Sequence, residues 1–404
     1  MSLFQGLGFA PVIEVFDLNR RFYADPSPEK VNLGLGAYRN DDGEPWVLPV
    51  VHKAEELIVS NRTLNHEYLP MCGLLEFRQA ATRLALGSES KAIEENRVLS
   101  IQTIGGTGAL RLAAELLKQN LHLDTAMVSS LSWDNHSGIF KATGFSQVNE
   151  YRYWNPGTKG LDLDGLLADL QNAREKTVVI LHTCGHNITA TDPSPQQWKQ
   201  IVSVLKERKL IPVMDFTYQG LVSGDVDEDA YPLRLLASEG VECLIAQSFS
   251  KHFGLYNERL GNLVIITKDS STIDEMRSQC EMIIRRIWSN PPHHGARVVA
   301  TILNDNSLYL EWKGQVRIMS DRIKLMRKML HERLVNLKTP GDWNHVLTQT
   351  GMFVFTGMTS PQVNYLISKF HIYLTKMGRV NMCGMTTKNV DYVSKAIHEA
   401  VTTQ

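Results

Sequence analysis

Residues 177–215, TVVILHTCGHNITATDPSPQQWKQIVSVLKERKLIPVMD, decide the fold. Two apolar runs, Thr177–Leu181 and Leu210–Met214, bracket a segment with helical spacing. Ser194 can cap that helix, Pro195 suits its first turn, and Gln197 completes a Ser-x-x-Gln capping box. Trp198, Ile201, Val202 and Leu205 fall at i, i+3, i+4 and i+7, which predicts one apolar face. A continuous apolar run fits a strand buried on both faces, and strand–helix–strand units build parallel sheets. Each run ends in polar residues, His182–Asn187 after the first and Asp215 after the second.

The same texture extends in both directions. Cys243–Ala246 runs into Gln247–Lys251, and Gly105-Gly106-Thr107-Gly108 precedes a helical face of Leu110, Ala113, Ala114 and Leu117. In open α/β sheets ligands sit beyond the carboxyl ends of the strands, so Asn187, Asp215 and Lys251 are expected to converge on one edge. The C-terminal quarter differs. A helix-like stretch, Ser320–Lys338, precedes short β-like runs at Met352–Phe355 and Ile372–Leu374, and a last helix spans Asn389–Thr402. A separate, smaller α+β unit is expected there, with a boundary near residue 315.

Composition bounds the function. The chain has 404 residues, a length that suggests two to three domains at about 150 residues each. With 43% hydrophobic and 21% charged residues, extensive disorder is not expected. Lys plus Arg number 42 and Asp plus Glu 43, so the chain lacks the basic excess of a nucleic-acid binder. No apolar run approaches the roughly 20 residues of a membrane span. The cysteines, Cys72, Cys184, Cys243, Cys280 and Cys383, are scattered and form no CxxC pair, which suggests reduced thiols. Residues 1–10 show neither a secretory signal nor an import sequence.

Several residues suit chemistry, each with a plainer alternative. Gly105-Gly106-Thr107 at a helix start can cradle a phosphate, and a tight turn explains it equally well. Lys251 at a strand end can form a Schiff base with a carbonyl cofactor, although most lysines are solvated. Ser248, Ser250 and Arg259 offer hydroxyls and a guanidinium suited to a phosphate. Asp215 and Tyr218 can hold a ring nitrogen and a ring oxygen, or simply shape a turn. His182 and His186 do not share a helix face, so no metal is expected. Arg285 and Arg379 suit carboxylates, with surface ion pairing as the default.

Taken in order, VNLGLGAYR (31–39), PWVLPVV (45–51), LNHEYLP (64–70), GGTGALR (105–111), DPSPQQWK (192–199), SFSKHFGLYNERLGN (248–262), WSNPP (288–292) and TTKNVDYV (386–393) resemble the aspartate aminotransferase family, most of all its eukaryotic cytosolic branch. The resemblance implies an α/β fold type I enzyme with two parts. One is a large domain, residues 47–315, with a mostly parallel seven-stranded sheet between helices. The other is a smaller α+β domain made from both chain ends, 1–46 and 316–404. It implies pyridoxal 5′-phosphate as cofactor and a cytoplasmic homodimer with shared active sites. The implied reaction is ping-pong transamination between L-aspartate and 2-oxoglutarate. The alternatives are an aminotransferase that also takes aromatic amino acids, or a non-catalytic protein that keeps the fold.

By matching positions, Lys251 would bind the cofactor covalently and shuttle the substrate proton. Asp215 would pair with the ring nitrogen. Tyr218 and Asn187 would hold the ring oxygen, and Trp133 would stack on the ring. His136 would orient Asp215, with His182 behind it. Gly105, Gly106, Thr107, Ser248, Ser250 and Arg259 would hold the phosphate, joined by Tyr68 of the other subunit. Arg379 would bind the substrate α-carboxylate and Arg285, also from the partner, the distal one. Gly36 would lie in a strand entering the site. Leu131 and Ile188 replace family prolines that follow cis bonds, and Phe216 and Thr217 replace Ser and Ala beneath the ring. A retained cis bond at Asn187–Ile188 is expected, because losing it would displace a cofactor ligand.

Overall fold

A computed structural model describes residues 2–404. The quoted stretch forms the centre of a seven-stranded sheet. Its strands are β1 (Val98–Ile104), β2 (Thr125–Ser129), β3 (Gln147–Tyr151), β4 (Val178–His182), β5 (Ile211–Phe216), β6 (Cys243–Ser248) and β7 (Leu260–Ile266). They lie in the order β1-β7-β6-β5-β4-β2-β3. The run β3-β2-β4-β5-β6 is parallel throughout. β7 is antiparallel to both of its neighbours.

Alternate residues of these apolar runs enter two separate cores. Val178 and Ile180 join one with Leu110, Ala113 and Leu117. Val179 and Leu181 join the other with Trp198, Ile201, Val202 and Leu205. A sheet covered on both faces explains why these strands read as unbroken apolar runs. The crossover between β4 and β5 carries the predicted helix, Pro195–Glu207. Its capping box is formed: Ser194 Oγ accepts from Gln197 N at 3.3 Å, and Gln197 Oε1 accepts from Ser194 N at 2.8 Å.

The register fixes the polar tips. His182 pairs with Asp215, Asp215 with Ala246, and Ser248 with Gly261. Helix α1 (Gly105–Gln119) starts directly after β1, and α2 (Asp134–Ala142) follows β2. Both therefore present their N-termini to the edge that carries Asp215 and Lys251.

Both chain ends meet beside this body. Val31–Asn32 pairs in parallel with Ile372–Tyr373, and Phe353–Phe355 pairs antiparallel with Arg379–Asn381. Gly36 lies beyond the first of these short strands, in irregular chain. Asn32 Oδ1 accepts from Gly34 N and Leu35 N, and this turn ends the strand before Gly36. The helix expected from Ser320 begins earlier and spans Asn306–Asn336. Asp305 caps it by accepting from Ser307 N and Leu308 N, both at 2.9 Å. Trp312, fully buried, donates to the His252 carbonyl at 3.0 Å and pins this helix to the segment after Lys251. The helix runs unbroken through residue 315. All five cysteines are free and buried.

Candidate active site

Asp215, near the end of β5, is buried, at 7% exposure. His136 on α2 donates from Nε2 to Asp215 Oδ2 at 2.8 Å, and Ser132 Oγ lies 2.8 Å from His136 Nδ1. Thr217 donates to Asp215 Oδ1 at 2.6 Å. Burial pushes the Asp215 carboxyl up, but the hydrogen bond and charge of His136, aided by His182 and Thr217, hold it below the usual carboxylate range. His182 packs between His136 and His186, with ring centroids 4.8 and 4.3 Å away. Burial and these two neighbours drive its pKa well down. His136, His182 and Asp215 are the one group of metal-ligand types that converges among the described residues, with candidate atoms within 4.8 Å of one another. Hydrogen bonds already occupy both Asp215 oxygens.

Lys251 faces this acid's surroundings from the loop after β6. Its Nζ donates to the Gly36 carbonyl and lies 4.9 Å from the centre of the Tyr256 ring. Burial depresses its pKa to about 8; Cys383 opposes this, and the cations Arg379 and Arg259 add smaller pushes downward. A cβ on Gly36 would stand 3.0 Å from Phe353 and 3.7 Å from Lys251 Nζ, so glycine admits the lysine here. Tyr218 is buried, and burial raises its phenol pKa further than the nearby Arg379 lowers it.

The first turn of α1 forms a cradle for an anion. Gly105 has φ +66°, and a Cβ there would sit 2.5 Å from Arg259 Nη2. A Cβ on Gly106 would press on Ser248 Cβ at 3.0 Å. Arg259 donates to Ser250 Oγ at 3.2 Å and to the Tyr256 carbonyl at 3.0 Å, and to no carboxylate among the described residues. A helix N-terminus, a guanidinium and two hydroxyls around glycines fit a phosphate.

Arg379 is held opposite. It donates to Asn187 Oδ1 and, at 3.2 Å, to the Gly34 carbonyl, with its guanidinium 4.3 Å from the Phe353 ring centre. Its Nε is buried without a partner, and no carboxylate pairs with it among the described residues. Burial lowers its pKa. A buried, unpaired guanidinium favours an incoming carboxylate.

The expected cis bond at Asn187–Ile188 is corrected. No peptide bond among the described residues is cis. Without proline, trans is favoured by about 2.5–4 kcal/mol, and other contacts hold the loop. Asp192 accepts from Gly185 N at 2.7 Å and His186 N at 2.9 Å. Ala190 N donates to the His186 carbonyl at 2.8 Å, with Ala190 at φ +54°. In this loop Asn187 Oδ1 accepts from Arg379. Leu131, the other proline replacement, takes φ +59°.

The chain brings together Lys251, Asp215, Tyr218, Asn187, Arg379, Gly36, His136 and His182, with the Gly105–Thr107 cradle alongside. Trp133 caps the start of α2, edge-on to His136 with ring centroids 5.4 Å apart. Tyr68 and Arg285 are not brought in. Tyr68 is 83% exposed, and Arg285, in the last turn of helix Ile273–Ile287, donates to Ser289 just beyond that helix at 2.6 Å. Sequence reasoning missed Tyr256 and Phe353. Tyr256 stood in the quoted lysine motif, whereas nothing in Phe353–Phe355 signalled a ring beneath Arg379.

Two outcomes follow. In the cofactor-free protein, acylation of Lys251 by a small anhydride, followed by peptide mass spectrometry, should show a pH midpoint near 8. The neutral amine is the nucleophile, so labelling rises with pH, and a midpoint near the ordinary ~10.4 would contradict the site's electrostatics. Ala190→Gly should raise stability to urea by about 1 kcal/mol, because glycine takes φ +54° without a Cβ clash. A loss of stability would contradict this account of the loop.

Comparison with known proteins agrees with this geometry. The model for aminotransferase class I and II matches residues 28–397. The cytoplasmic aspartate aminotransferase of Gallus gallus is 53% identical over 406 residues, covering 99% of this chain and 98% of that one. The aspartate aminotransferase from Saccharomyces cerevisiae cytoplasm superposes with a TM-score of 0.96 at 39% identity, over 99% of this chain and 98% of that chain. An aromatic-amino-acid aminotransferase from Burkholderia pseudomallei, covalently bound to pyridoxal phosphate, also gives 0.96 at 38% identity, over 99% and 100%. With a buried lysine, a buried ionised acid and a phosphate cradle on one sheet edge, and with likeness along nearly its whole length, the chain belongs to the class I and II aminotransferase family.

Proposed function

We propose that this protein is a pyridoxal 5′-phosphate-dependent aspartate aminotransferase. It exchanges the amino group between L-aspartate and 2-oxoglutarate in two half-reactions, giving oxaloacetate and L-glutamate. The observation that carries this is Lys251, buried with a pKa near 8, on the same edge as the ionised Asp215 and the unpaired Arg379. Likeness to the enzyme of Gallus gallus supports aspartate as donor and the cytoplasm as location. Among the described residues no helix is long and apolar enough to cross a membrane.

When bound, the cofactor supplies an aldehyde that captures amines and a ring that accepts electrons. Asp215 holds a proton at the ring nitrogen, and His136 orients Asp215. His182 packs behind His136. Gly105, Gly106, Thr107, Ser248, Ser250 and Arg259 receive the phosphate. Tyr218 and Asn187 would hydrogen-bond the ring oxygen, and Trp133 would cover the ring face. Lys251 Nζ would act as the general base that takes the substrate α-proton and then as the acid that returns it. Its depressed pKa leaves a sizeable neutral fraction at pH 7–8. Arg379 binds the α-carboxylate, and Gly36 leaves room beside it.

The distal carboxylate falls to the partner subunit's Arg285, and the partner's Tyr68 completes the phosphate site. Their distance from any role within their own chain supports a homodimer. So does the exposed apolar arm, where Leu3, Phe4, Leu7 and Phe9 stand 70–107% exposed. The division into residues 47–315 and a smaller part from 1–46 and 316–404 is supported by the pairing of Val31–Asn32 with Ile372–Tyr373. The long helix Asn306–Asn336 would then link the two parts. Broad specificity including aromatic donors is a second reading, favoured by the likeness to the Burkholderia enzyme.

L-Aspartate added to the purified holoenzyme should convert the cofactor's visible spectrum to that of its amine form, and Lys251→Ala should abolish conversion. An unchanged spectrum would contradict transamination. Arg285→Ala should lower kcat/KM for aspartate about 100-fold, as expected for a lost charge partner, and for phenylalanine by less than about threefold. Equal losses on both would contradict the dicarboxylate assignment.

A further inference from the structure

Asp215 needs its charge and its orientation to serve a ring nitrogen. His136 secures only one oxygen, Oδ2, at 2.8 Å. The other, Oδ1, receives the Thr217 hydroxyl at 2.6 Å. Thr217 lies just beyond β5, two residues after Asp215, and Phe216 between them is fully buried. Thr217 itself is half-buried. Tyr218, the next residue, is also buried.

We propose that Thr217 is a positioning residue for transamination, whose hydroxyl clamps Asp215 Oδ1 and thereby fixes the carboxylate's rotation and keeps it ionised. This rests on Asp215 serving the ring nitrogen as set out above. The titratable groups that face this acid are His136 from α2, His182 from β4, Cys184 from the loop after β4, and Tyr218 from its own segment. None of them hydrogen-bonds Oδ1, so Thr217 alone engages this oxygen among the described residues. A carboxylate that accepts from two sides is a weaker base. It therefore leaves the shared proton on the ring nitrogen rather than drawing it onto itself. With the ring nitrogen held charged in this way, the nitrogen by which Lys251 would hold the cofactor would be a weaker base. Removing the hydroxyl should reverse both effects.

The test uses holoenzyme with Thr217→Val, which keeps shape without the hydroxyl, and Thr217→Ser, which keeps the hydroxyl. Thr217→Ala is read instead should the valine variant not fold. The pH midpoint of the bound cofactor's visible absorbance should rise by about half a unit in Thr217→Val. It should stay within about 0.1 unit in Thr217→Ser. With aspartate, kcat should fall about tenfold in Thr217→Val while KM changes less than about twofold, as expected for one lost hydrogen bond to a charged group. In an Asp215→Ala background, Thr217→Val should add no further change. An unshifted midpoint and unchanged kcat in Thr217→Val overturn the proposal, as does an equal shift in Thr217→Ser. An Asp215→Ala enzyme with normal spectrum and turnover would instead overturn the underlying assignment of Asp215.

Discussion

Burying a carboxylate costs several kcal/mol unless donors reach its oxygens, and Asp215 stands at the end of a strand with donors on both. That requirement organises its surroundings. β4 must run parallel to β5 in a register that sets His182 beside Asp215. Helix α2 must start where His136, itself fully buried, can reach across. Ser132 must turn the imidazole from its other nitrogen. The acid is thus ionised before any ligand arrives, with its charge only partly balanced by protein. A positively charged ring nitrogen is the complement such a site favours.

The cations complete the pattern by being left short of partners. Among the described residues Lys251 has the Gly36 carbonyl and the Tyr256 ring face, Arg259 a hydroxyl and a carbonyl, and Arg379 an amide oxygen, a carbonyl and a ring face. Among the described residues no carboxylate pairs with any of the three. A phosphate at Arg259 and a carboxylate at Arg379 would supply the missing anions. The near-zero net charge of the whole chain, −1, says nothing of this, because the effect depends on three local imbalances.

Much of the fold was legible because it rests on local rules. Unbroken apolar runs announced strands covered on both faces, and Ser194 with Gln197 announced a helix start. The polar tips Asp215 and Lys251 followed from strand direction alone. The direction of β7 was not legible, since Leu260–Ile266 reads alike whichever way it runs. Nor was the early start of Asn306–Asn336, which depends on the single cap Asp305 and on Trp312 reaching the His252 carbonyl. The loop at Asn187 misled for a related reason. Its shape comes from Asp192 and from the Ala190–His186 hydrogen bond, contacts that a residue-by-residue match to a proline loop does not contain. The residues at the site were legible from motifs. Their hydrogen-bond partners, such as Thr217 on Asp215 and Phe353 beneath Arg379, needed the tertiary structure.

The central claim is that Asp215 enters the reaction as an ionised carboxylate paired with a protonated ring nitrogen. The most direct measurement is the 15N chemical shift of the pyridine nitrogen in holoenzyme loaded with 15N-labelled pyridoxal 5′-phosphate, followed across the neutral pH range. The account predicts a pyridinium shift throughout, collapsing to that of a neutral pyridine in Asp215→Ala. A neutral pyridine shift in the unaltered holoenzyme would contradict it.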